Sequence, residues 1–538
     1  MKKFTLLTLS LFMLCAGFAQ NAEQVTSVGD PGSGIIYPSQ ELVEQNGQLF
    51  FHTISSATVN QAELWTTDGT TAGTQLVKGI DNVGDRFGVL SVTAAGNQVF
   101  FTLDDGIHGR ELWKTDGTTN GTVMVKDIFT GPGASSPTLL TELNGVLYFF
   151  TYEDGTGRDL WRSNGTAQGT QLVRSFPSAA SDSSLVDRLT VAGGKLFYKA
   201  QSGSGNELWV SDGTTAGTFE VKDIFPGPNS SRPLGISEVN GMVIFVAGDA
   251  INGRALWKSD GTASGTVMVK DFDLLQGVPP SIINTFQAEA VNADFYFSRE
   301  INNRTQLWKS DGSETGTVMV ADFPVDVEGG IRNLVGFNGE LYFSALSTAF
   351  GHELWKSDGT TAGTIRLSDV NPGAANGFAY DLTVFKGEVY FGAFNATEGA
   401  VIWKTDGTPS GTTKVSGLST GTYAYKLVGL TEFNNSIYFF GAEVTSGAQI
   451  WKLKDNVISV AENALESGIS VGPNPSYDVF RIQSNAPVSE VLVTDLQGRT
   501  VAVSVKNNAL DLSQHPTGIY LLRGVVDGRA FSTKLIKL

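Results

Sequence analysis

The sequence predicts an all-β protein dominated by one long array of similar four-stranded sheets. Tryptophan is the first indication, because all nine of its occurrences fall in one recurring motif. Their successive spacings are 48, 48, 48, 48, 51, 47, 48 and 48 residues, and so regular a period is typical of repeat architectures. The composition agrees: 63 of 538 residues are glycine and only 17% are charged, which favours short strands joined by tight turns. The repeat tryptophans are Trp65, Trp113, Trp161, Trp209, Trp257, Trp308, Trp355, Trp403 and Trp451.

Each repeat has the pattern of four short strands. In the third unit, strand patterns cover residues 146–151, 159–163 and 170–175, and the pattern at 184–192 begins the next unit. The Asn-Gly and Asp-Gly pairs between strands supply the positive φ angles that two-residue hairpin turns require. No segment of about 10–15 residues has helical periodicity, so alternating strands and helices are disfavoured.

The distribution of large apolar side chains predicts how the sheets pack. Leu112 and Trp113 are adjacent in one strand, as are Tyr148 and Phe149 in another, so both faces of a sheet carry apolar groups. A propeller blade is a four-stranded sheet that packs between two neighbours and is covered on both faces. We therefore predict a large β-propeller of eight or nine four-stranded blades over residues 37–460, with two smaller propellers as the alternative.

Two irregularities leave the number of blades open. The spacing of 51 residues before Trp308 is the one hint of a seam between two rings. The ninth unit, around residues 450–453, lacks the Asp-Gly-Thr turn of the other units. This unit could be a complete blade, a closing half-blade or packing for the domain that follows.

The repeat resembles the bacterial family of ELWxxDGT repeat proteins. The copies at 111–118 and 353–360 match the motif throughout, whereas looser copies carry Ala255, Gln306 or Val401 at the glutamate position. The resemblance covers about 420 residues by this repeat pattern. It implies no particular activity, because the family is defined by a motif rather than by a reaction.

The first 19 residues have the pattern of a secretory signal peptide. Lys2 and Lys3 precede an apolar stretch at 6–14, which is too short to span a bilayer. Small residues before the junction predict cleavage between Ala19 and Gln20. Residues 20–36 would then form a lead-in to the repeats, and no later apolar run reaches transmembrane length.

Cysteine chemistry is excluded from the predicted mature chain. Cys15 is the only cysteine and lies within the signal peptide, so disulfides, thiolate metal sites and cysteine catalysis are all ruled out by the predicted cleavage. A lipoprotein cysteine is the alternative interpretation of Cys15. It is disfavoured because Leu14 occupies the position where a small residue is normally required.

The last 71 residues, 468–538, resemble a second family, the type A sorting domain of type IX secretion in Bacteroidota. The resemblance implies a small β-sandwich that engages the type IX machinery and directs passage across the outer membrane. It implies a secreted or outer-surface location for the protein, and residues 461–467 have the pattern of a linker to this domain. The motif residues are Pro473, Asn474, Pro475, Asp495, Gly498, Arg499, Gly518, Tyr520 and Lys534.

Recurring residues in the repeats are interpreted as structural. The tryptophans are predicted to pack between blades rather than to stack on sugars. The Asp-Gly-Thr turns could hold Ca²⁺, but Asn164 replaces the aspartate in one copy, so a turn role is favoured and no cofactor is predicted. A second recurring aspartate is expected to begin a loop after the fourth strand; its copies are Asp127, Asp223, Asp271, Asp322 and Asp369.

Charge and motif content narrow the function. A net charge of −17 argues against nucleic acid and anionic membranes as partners. The four histidines, His52, His108, His352 and His515, include no pair at metal-ligand spacing, and no phosphate loop or nucleophile elbow occurs. An enzyme is therefore less favoured than a non-enzymatic protein. A secreted hydrolase of extracellular polysaccharide stays as an alternative, because its carboxylates could come from different blades.

Loop length predicts which side of the array binds a ligand. The second loop of each unit and the loop between units are longer and more variable than the tight turns, and they lie on the opposite side; examples are 104–110, 202–206 and 347–352. Variable loops on a rigid scaffold are where recognition usually occurs. We expect an adhesion or capture role toward an extracellular glycan or protein, with a ligand-free coat or spacer as a further alternative.

Overall fold

The computed structural model divides the chain into two compact units, residues 1–453 and 454–538. The residues that it describes are 22–26, 42–54, 61–81, 88–153, 157–177, 188–272, 288–301, 303–326, 329–396, 399–417, 428–443, 447–453, 470–472, 476–484, 488–495, 501, 503–506, 508–526 and 529–537. The predicted signal peptide with its Ala19–Gln20 junction and the predicted linker at 461–467 lie outside these ranges.

All regular structure in the described residues is β-strand, so the predicted all-β class is confirmed. No helix able to cross a membrane is found among them. The strands of the first unit are β1 (Ala22–Gln24), β2 (Val43–Gln45), β3 (Gln48–Ile54), β4 (Gln61–Thr67), β5 (Gln75–Asp81), β6 (Leu90–Ala95), β7 (Gln98–Asp104), β8 (Arg110–Thr115), β9 (Val123–Lys126), β10 (Thr138–Leu143), β11 (Val146–Glu153), β12 (Gly157–Ser163), β13 (Gln171–Pro177), β14 (Thr190–Ala192), β15 (Lys195–Ser202), β16 (Gly205–Ser211), β17 (Thr218–Lys222), β18 (Leu234–Val239), β19 (Met242–Asp249), β20 (Gly253–Ser259), β21 (Val267–Asp271), β22 (Ala288–Val291), β23 (Asp294–Ile301), β24 (Arg304–Ser310), β25 (Val318–Pro324), β26 (Ile331–Phe337), β27 (Glu340–Ser347), β28 (Gly351–Ser357), β29 (Ile365–Arg366), β30 (Tyr380–Phe385), β31 (Glu388–Asn395), β32 (Gly399–Thr405), β33 (Thr413–Gly417), β34 (Val428–Phe433), β35 (Ser436–Glu443) and β36 (Gly447–Leu453).

These strands form nine four-stranded antiparallel sheets within the described part of the first unit. The first eight sheets are consecutive meanders, β2 to β5, β6 to β9 and so on to β30 to β33. The ninth sheet takes three strands from its own repeat, β34 to β36, and its fourth strand is β1 from the predicted lead-in. The ninth unit is thus four-stranded, and its fourth strand comes from the opposite end of the array.

The hairpin turns follow directly from local sequence. The β10–β11 turn places Asn144 at φ 53° and Gly145 at φ 79°, so both central residues are left-handed. A two-residue turn with this geometry matches the twist of the paired strands, and Asn-Gly adopts it at little cost. The alternation of strand and turn in each repeat is therefore encoded locally.

The tryptophans lie between successive sheets. The eight from Trp113 to Trp451 each belong to a hydrophobic cluster shared with the preceding sheet, as Trp113 does with Phe50 and Leu64 of the first sheet. None of the nine is exposed. Lysines on the fourth strands cover some of these rings: the Lys78 ammonium lies 5.6 Å from the centroid of Trp113 and donates to the Thr122 carbonyl in the next sheet.

The ninth sheet packs against the first. Trp65 shares a cluster with residues of the ninth sheet, and the rings of Phe51 and Phe440 meet edge to face at 6.2 Å between centroids. Val25, directly after β1, is buried in the same cluster and donates its N–H to the Ile450 carbonyl at 2.8 Å. The first and ninth sheets thus share apolar contacts of the kind that consecutive sheets share.

The first strand of several sheets carries a bulge, and no turn motif in the sequence indicates it. The pairing register shifts by one residue in β6, β10, β18, β26, β30 and β34. In two of these strands Ser91 and Leu139 adopt left-handed φ angles of 54° and 56°. Side chains other than Gly, Asn and Asp disfavour this region, so packing of the neighbouring sheets must maintain it.

The second unit contains two small antiparallel sheets around one core. Its strands are β37 (Ser470–Gly472), β38 (Val479–Gln483), β39 (Val488–Asp495), β40 (Ser504–Lys506), β41 (Ala509–Asp511), β42 (Gly518–Val526) and β43 (Arg529–Lys537). One sheet has the order β37-β38-β41-β40 and the other β39-β42-β43. Phe480 and Leu510 of the first sheet and Leu522 and Leu535 of the second are fully buried in a common cluster. This unit has its own hydrophobic core.

Candidate functional site

The Asp-Gly-Thr turns are closed hydrogen-bond networks. In the fourth sheet, Asp212 Oδ1 accepts the N–H and O–H of Thr214 at 2.8 and 2.7 Å. Thr214 Oγ1 accepts the Gly217 N–H, and the Thr218 hydroxyl donates to the Thr214 carbonyl. Because the Thr218 hydroxyl proton is engaged by the Thr214 carbonyl, the Ser211 hydroxyl donates to the Thr218 hydroxyl oxygen, 2.6 Å away. The turn polar groups thus satisfy one another.

The same network occurs in eight sheets. Its aspartate or asparagine members are Asp68, Asp116, Asn164, Asp212, Asp260, Asp311, Asp358 and Asp406. Hydrogen bonds from the Thr70 side chain and backbone lower the pKa of Asp68, so its carboxylate is committed to the turn. In the described residues no group of three His, Cys, Asp or Glu side chains could hold a metal ion.

Gly217→Ala tests the turn network, because a Cβ at this position would overlap the Asp212 carboxyl group. The aspartate would have to leave Thr214, and we expect a loss of about 1–3 kcal/mol of unfolding free energy in urea titrations. Gly203→Ala is the matched control, since nothing lies within 4 Å of its added Cβ. Equal stability of the two variants would contradict the assigned role.

On the opposite side, three buried glutamates hold the loops between sheets. Glu207 is fully buried, and it accepts the Ile224 N–H at 3.1 Å, the Ser231 N–H at 2.8 Å and the Ser231 hydroxyl at 2.5 Å. Glu111 holds loop 127–137 in the same way. Glu353 accepts the Val370 N–H at 3.0 Å at the start of loop 369–379, and its hydroxyl donor is Ser368, just before that loop. We call the three segments 127–137, 223–233 and 369–379 the anchored loops.

Burial sets the electrostatics of these anchors. It raises the pKa of Glu207 to about 7, although the three hydrogen bonds that Glu207 accepts act in the opposite direction. Burial likewise raises the pKa of Glu111 and of Glu353. An acid whose pKa rises on folding stabilises the fold fully below its unfolded pKa, and this contribution is lost as pH rises through the folded pKa. The relevant window for Glu207 runs from 4.5 to about 7.

Glu207→Gln should therefore have a pH-dependent cost. Where Glu207 is ionised, glutamine offers one acceptor oxygen in place of two, so a backbone N–H loses its partner at about 1–3 kcal/mol. Because wild-type Glu207 stabilises the fold most at low pH, the difference from the variant should be larger at pH 4.5 than at pH 8. Urea unfolding at the two pH values measures it, with exposed Glu314→Gln as the control. A difference that grows with pH would contradict the assignment.

The second loops of the units lie against the anchored loops. In the second sheet, Asp105 accepts the backbone N–H groups of Ile107 and His108 and contacts His108 Nδ1 at 2.8 Å. The hydrogen bond between Asp105 and His108 raises the pKa of His108. The fifth sheet repeats this turn with Asp249 accepting from Asn252. These turns expose isoleucine at their tips, with Ile107 67% and Ile251 90% exposed.

The recurring aspartates after the fourth strands include loop caps. Asp127 and Asp223 accept the N–H groups of Gly131 and Gly227 at 3.2 and 3.1 Å, inside the first two anchored loops. The sequence alone did not indicate the role of the three buried glutamates. The one available signal was a Glu before Leu-Trp followed, about 24 positions later, by Ser135 or Ser231.

The four histidines do not come together in one site. His52 is buried between the first two sheets, and burial together with the charge of Arg110 lowers its pKa to about 4. His352 is buried in the seventh sheet, with Nε2 3.2 Å from Asp326. His108 is on the second-sheet loop, and His515 belongs to the second unit.

The second unit distributes its predicted motif residues unevenly. Tyr520 is buried and donates its hydroxyl to the Pro516 carbonyl at 2.6 Å. Gly518 begins β42, Asp495 ends β39, and Lys534 is exposed on β43. Five motif residues lie outside the described residues, namely Pro473, Asn474, Pro475, Gly498 and Arg499.

Lys537 is the residue of this unit that sequence reasoning missed. Its ammonium is buried and donates to the carbonyls of Leu512, Ser513 and His515, and it lies 3.1 Å from Asp478. A buried lysine needs such partners, because desolvation of an unpaired charge is costly. Lys537 therefore ties the end of β43 to the segment that follows β41.

Comparison with known proteins identifies the second unit. Residues 470–538 match the family model described as "Secretion system C-terminal sorting domain". The chain thus carries a type IX secretion sorting domain, which makes it an exported protein that interacts with the secretion machinery. No curated protein matches the sequence significantly.

Solved structures similar to the chain include two puromycin hydrolase structures and one yeast protein. A puromycin hydrolase mutant complexed with PGG is 13% identical over 66% of this chain and 59% of its own, with a TM-score of 0.34. The other puromycin hydrolase structure is 12% identical over 65% and 58%, with a TM-score of 0.33. This chain thus spans about three fifths of their length. Saccharomyces cerevisiae Sqt1 is 9% identical over 81% of this chain and 100% of its own, with a TM-score of 0.38.

Proposed function

We propose that the first unit is a closed nine-bladed propeller of the ELWxxDGT repeat type, which serves outside the cell as a non-enzymatic binding platform. Its ligand is an extracellular glycan or protein, held on the side of the anchored loops. The sorting domain delivers this platform across the outer membrane. The main support for the proposal is the difference between the two sides of the array. One side consists of the hydrogen-bonded Asp-Gly-Thr turns and the other of longer loops.

Packing between the terminal sheets supports closure. Trp65 of the first sheet occupies a cluster with the ninth sheet, in the same way that each later tryptophan packs on its predecessor. β1 pairs with β36 through Ala22, Glu23 and Gln24, so the two ends of the array meet in one sheet. Small-angle scattering from the mature chain should give a compact first unit rather than an extended rod.

Rigidity of the loops supports binding on their side. Buried carboxylates fix three inter-sheet loops at their backbone N–H groups, so side chains at the loop surface are held in position without being buried. A site whose side chains are already ordered loses less conformational entropy when a ligand binds. The Asp-Gly-Thr side offers no comparable surface, because its polar groups are used within each turn.

A binding screen tests the proposal. The mature chain, residues 20–538, is applied to a panel of glycans and extracellular matrix proteins, next to a variant in which loop 104–110 is replaced by the shorter loop 202–206. We expect at least tenfold weaker binding for the variant. Thr71→Ala on the turn side is the control and should bind as the wild type does.

Other outcomes would contradict the platform role. Unchanged binding after loop replacement would place recognition elsewhere. Release of reducing ends from a polysaccharide would favour the secreted hydrolase, and no binding to any member of the panel would favour the coat or spacer.

A further inference from the structure

Two exposed aromatic side chains lie at the first anchored loop. Phe129 belongs to the loop itself and is 40% exposed, and Tyr152, near the end of the neighbouring strand β11, is 42% exposed. Aromatic rings of this size usually bury most of their surface, because each contributes about 150–250 Å² of apolar area to a core. Rings held at a surface in this way are candidates for ligand contact.

One buried carboxylate anchors the backbone at both aromatic residues, at Phe129 directly and at Tyr152 through Ser135. Glu111 accepts the Phe129 N–H at 3.4 Å, the Ser135 N–H at 3.0 Å and the Ser135 hydroxyl at 2.6 Å. Ser135 in turn accepts the Tyr152 N–H at its carbonyl, at 2.9 Å. The backbone of each aromatic residue is therefore fixed to the same buried group.

Each ring is also supported from one side. A Cβ at Gly133 would overlap the Phe129 ring, so the ring lies directly on the glycine backbone. The Arg158 guanidinium lies 5.2 Å from the centroid of the Tyr152 ring, within the range of a cation–π contact. Each ring therefore has a contact that restricts its orientation.

Polar groups border the same surface. The second-sheet loop packs on the anchored loop, since a Cβ at Gly109 would come within 2.6 Å of the Gly133 carbonyl. That loop carries the Asp105–His108 pair. Carboxylate and imidazole groups can hydrogen-bond to hydroxyl groups, and aromatic faces can cover the C–H face of a sugar ring.

The other two anchored loops lack this combination. Gly248 stands where the first copy has Tyr152, and it makes the same N–H bond, to the Ser231 carbonyl at 2.8 Å. In the third copy Phe394 makes the bond, to the Gly377 carbonyl, but Asn371 replaces Phe129. Among the three anchored loops, the first alone combines both aromatic residues, although the scaffold is shared.

We propose that Phe129 and Tyr152 form a stacking site for a glycan of neutral sugars or amino sugars. This inference rests on the proposed binding function and assigns it a ligand class and a location. Acidic polysaccharides are disfavoured as ligands because Asp127 belongs to the same loop as Phe129, Asp105 belongs to the loop packed against it, and the chain carries a net charge of −17.

A glycan array tests the site. The mature chain is compared with Phe129→Ala and Tyr152→Ala on neutral glucans, mannans and xylans, chitooligosaccharides, alginate and polygalacturonate. We expect binding to neutral or amino-sugar glycans and a loss of at least tenfold in each variant. Phe225→Ala is the matched control at the equivalent position of the second anchored loop, and it should bind as the wild type does. Thermal unfolding of all variants shows that the fold is retained.

The outcomes separate this site from the general function. Glycan binding that is unchanged in the Phe129→Ala, Tyr152→Ala double variant would overturn the site and leave the platform standing. Binding to alginate or polygalacturonate alone, or to matrix proteins alone, would overturn the ligand class. Absence of any binding in both screens would overturn the site together with the proposed function.

Discussion

Deletion of residues 22–26 is expected to destabilise the first unit by about 5 kcal/mol and to loosen the ninth sheet. Burial of Val25 contributes about 2 kcal/mol, and each lost hydrogen bond adds about 1 kcal/mol. The Thr26 hydroxyl bonds to Gln449 and accepts the Ile450 N–H at 3.0 Å, so its removal also unpairs a buried backbone group. Urea unfolding measures the free energy, and hydrogen–deuterium exchange over residues 447–453 reports the sheet edge.

A smaller change serves as the control for this deletion. Val25→Ala keeps the backbone pairing of β1 with β36 and removes only apolar contact, so it should cost about 1–3 kcal/mol and leave the exchange pattern intact. If the deletion changed neither the unfolding midpoint nor exchange at 447–453, the contribution of β1 to the ninth sheet would be refuted.

Trp209→Ala is expected to cost about 3–5 kcal/mol of unfolding free energy. The indole is only 4% exposed; it meets Phe176 of the preceding sheet edge to face at 4.9 Å between centroids, and Arg174 covers it at 5.4 Å. Alanine would leave a cavity between two sheets that neighbouring strands cannot close, because each sheet is held by packing on both faces.

Surface and size controls separate this effect from a general loss of apolar area. Leu172→Ala, at a side chain 46% exposed, should change the unfolding free energy by less than about 0.5 kcal/mol. Trp209→Phe should lie between the two, because it retains a ring at the junction. A cost below about 1 kcal/mol for Trp209→Ala would mean that the tryptophans do not hold the sheets together.

The Asp-Gly-Thr turns were largely predictable, and the reason is local. Every bond of the network around Asp212 joins residues no more than seven positions apart, so a repeated spacing reveals it. Gly217 and Thr218 follow Asp212 by five and six positions, and the same spacing recurs in the other turns. This signal could have identified their role. Gly217 avoids the aspartate, and Thr218 closes the turn.

The glutamate anchors were not predictable with the same means. Glu111 bonds to Ser135, which is 24 positions away in a loop of variable sequence. The sequence around Glu111 is that of any strand residue before Leu-Trp, and its burial follows only from the loop that covers it. For the same reason Phe129 and Tyr152 could not be grouped, since the contact between Glu111 and Ser135 is what joins their backbones.

By itself, the sequence determined the strands, the tight turns, the apolar faces of the repeats and the sorting domain, because each of these depends on neighbouring residues or on a short motif. Only the tertiary structure decided that β1 completes the ninth sheet, that Leu139 accepts a left-handed φ, and that a buried carboxylate organises the loops. These features arise from contacts between residues far apart in the chain, where burial and hydrogen bonding override the preference of each residue alone.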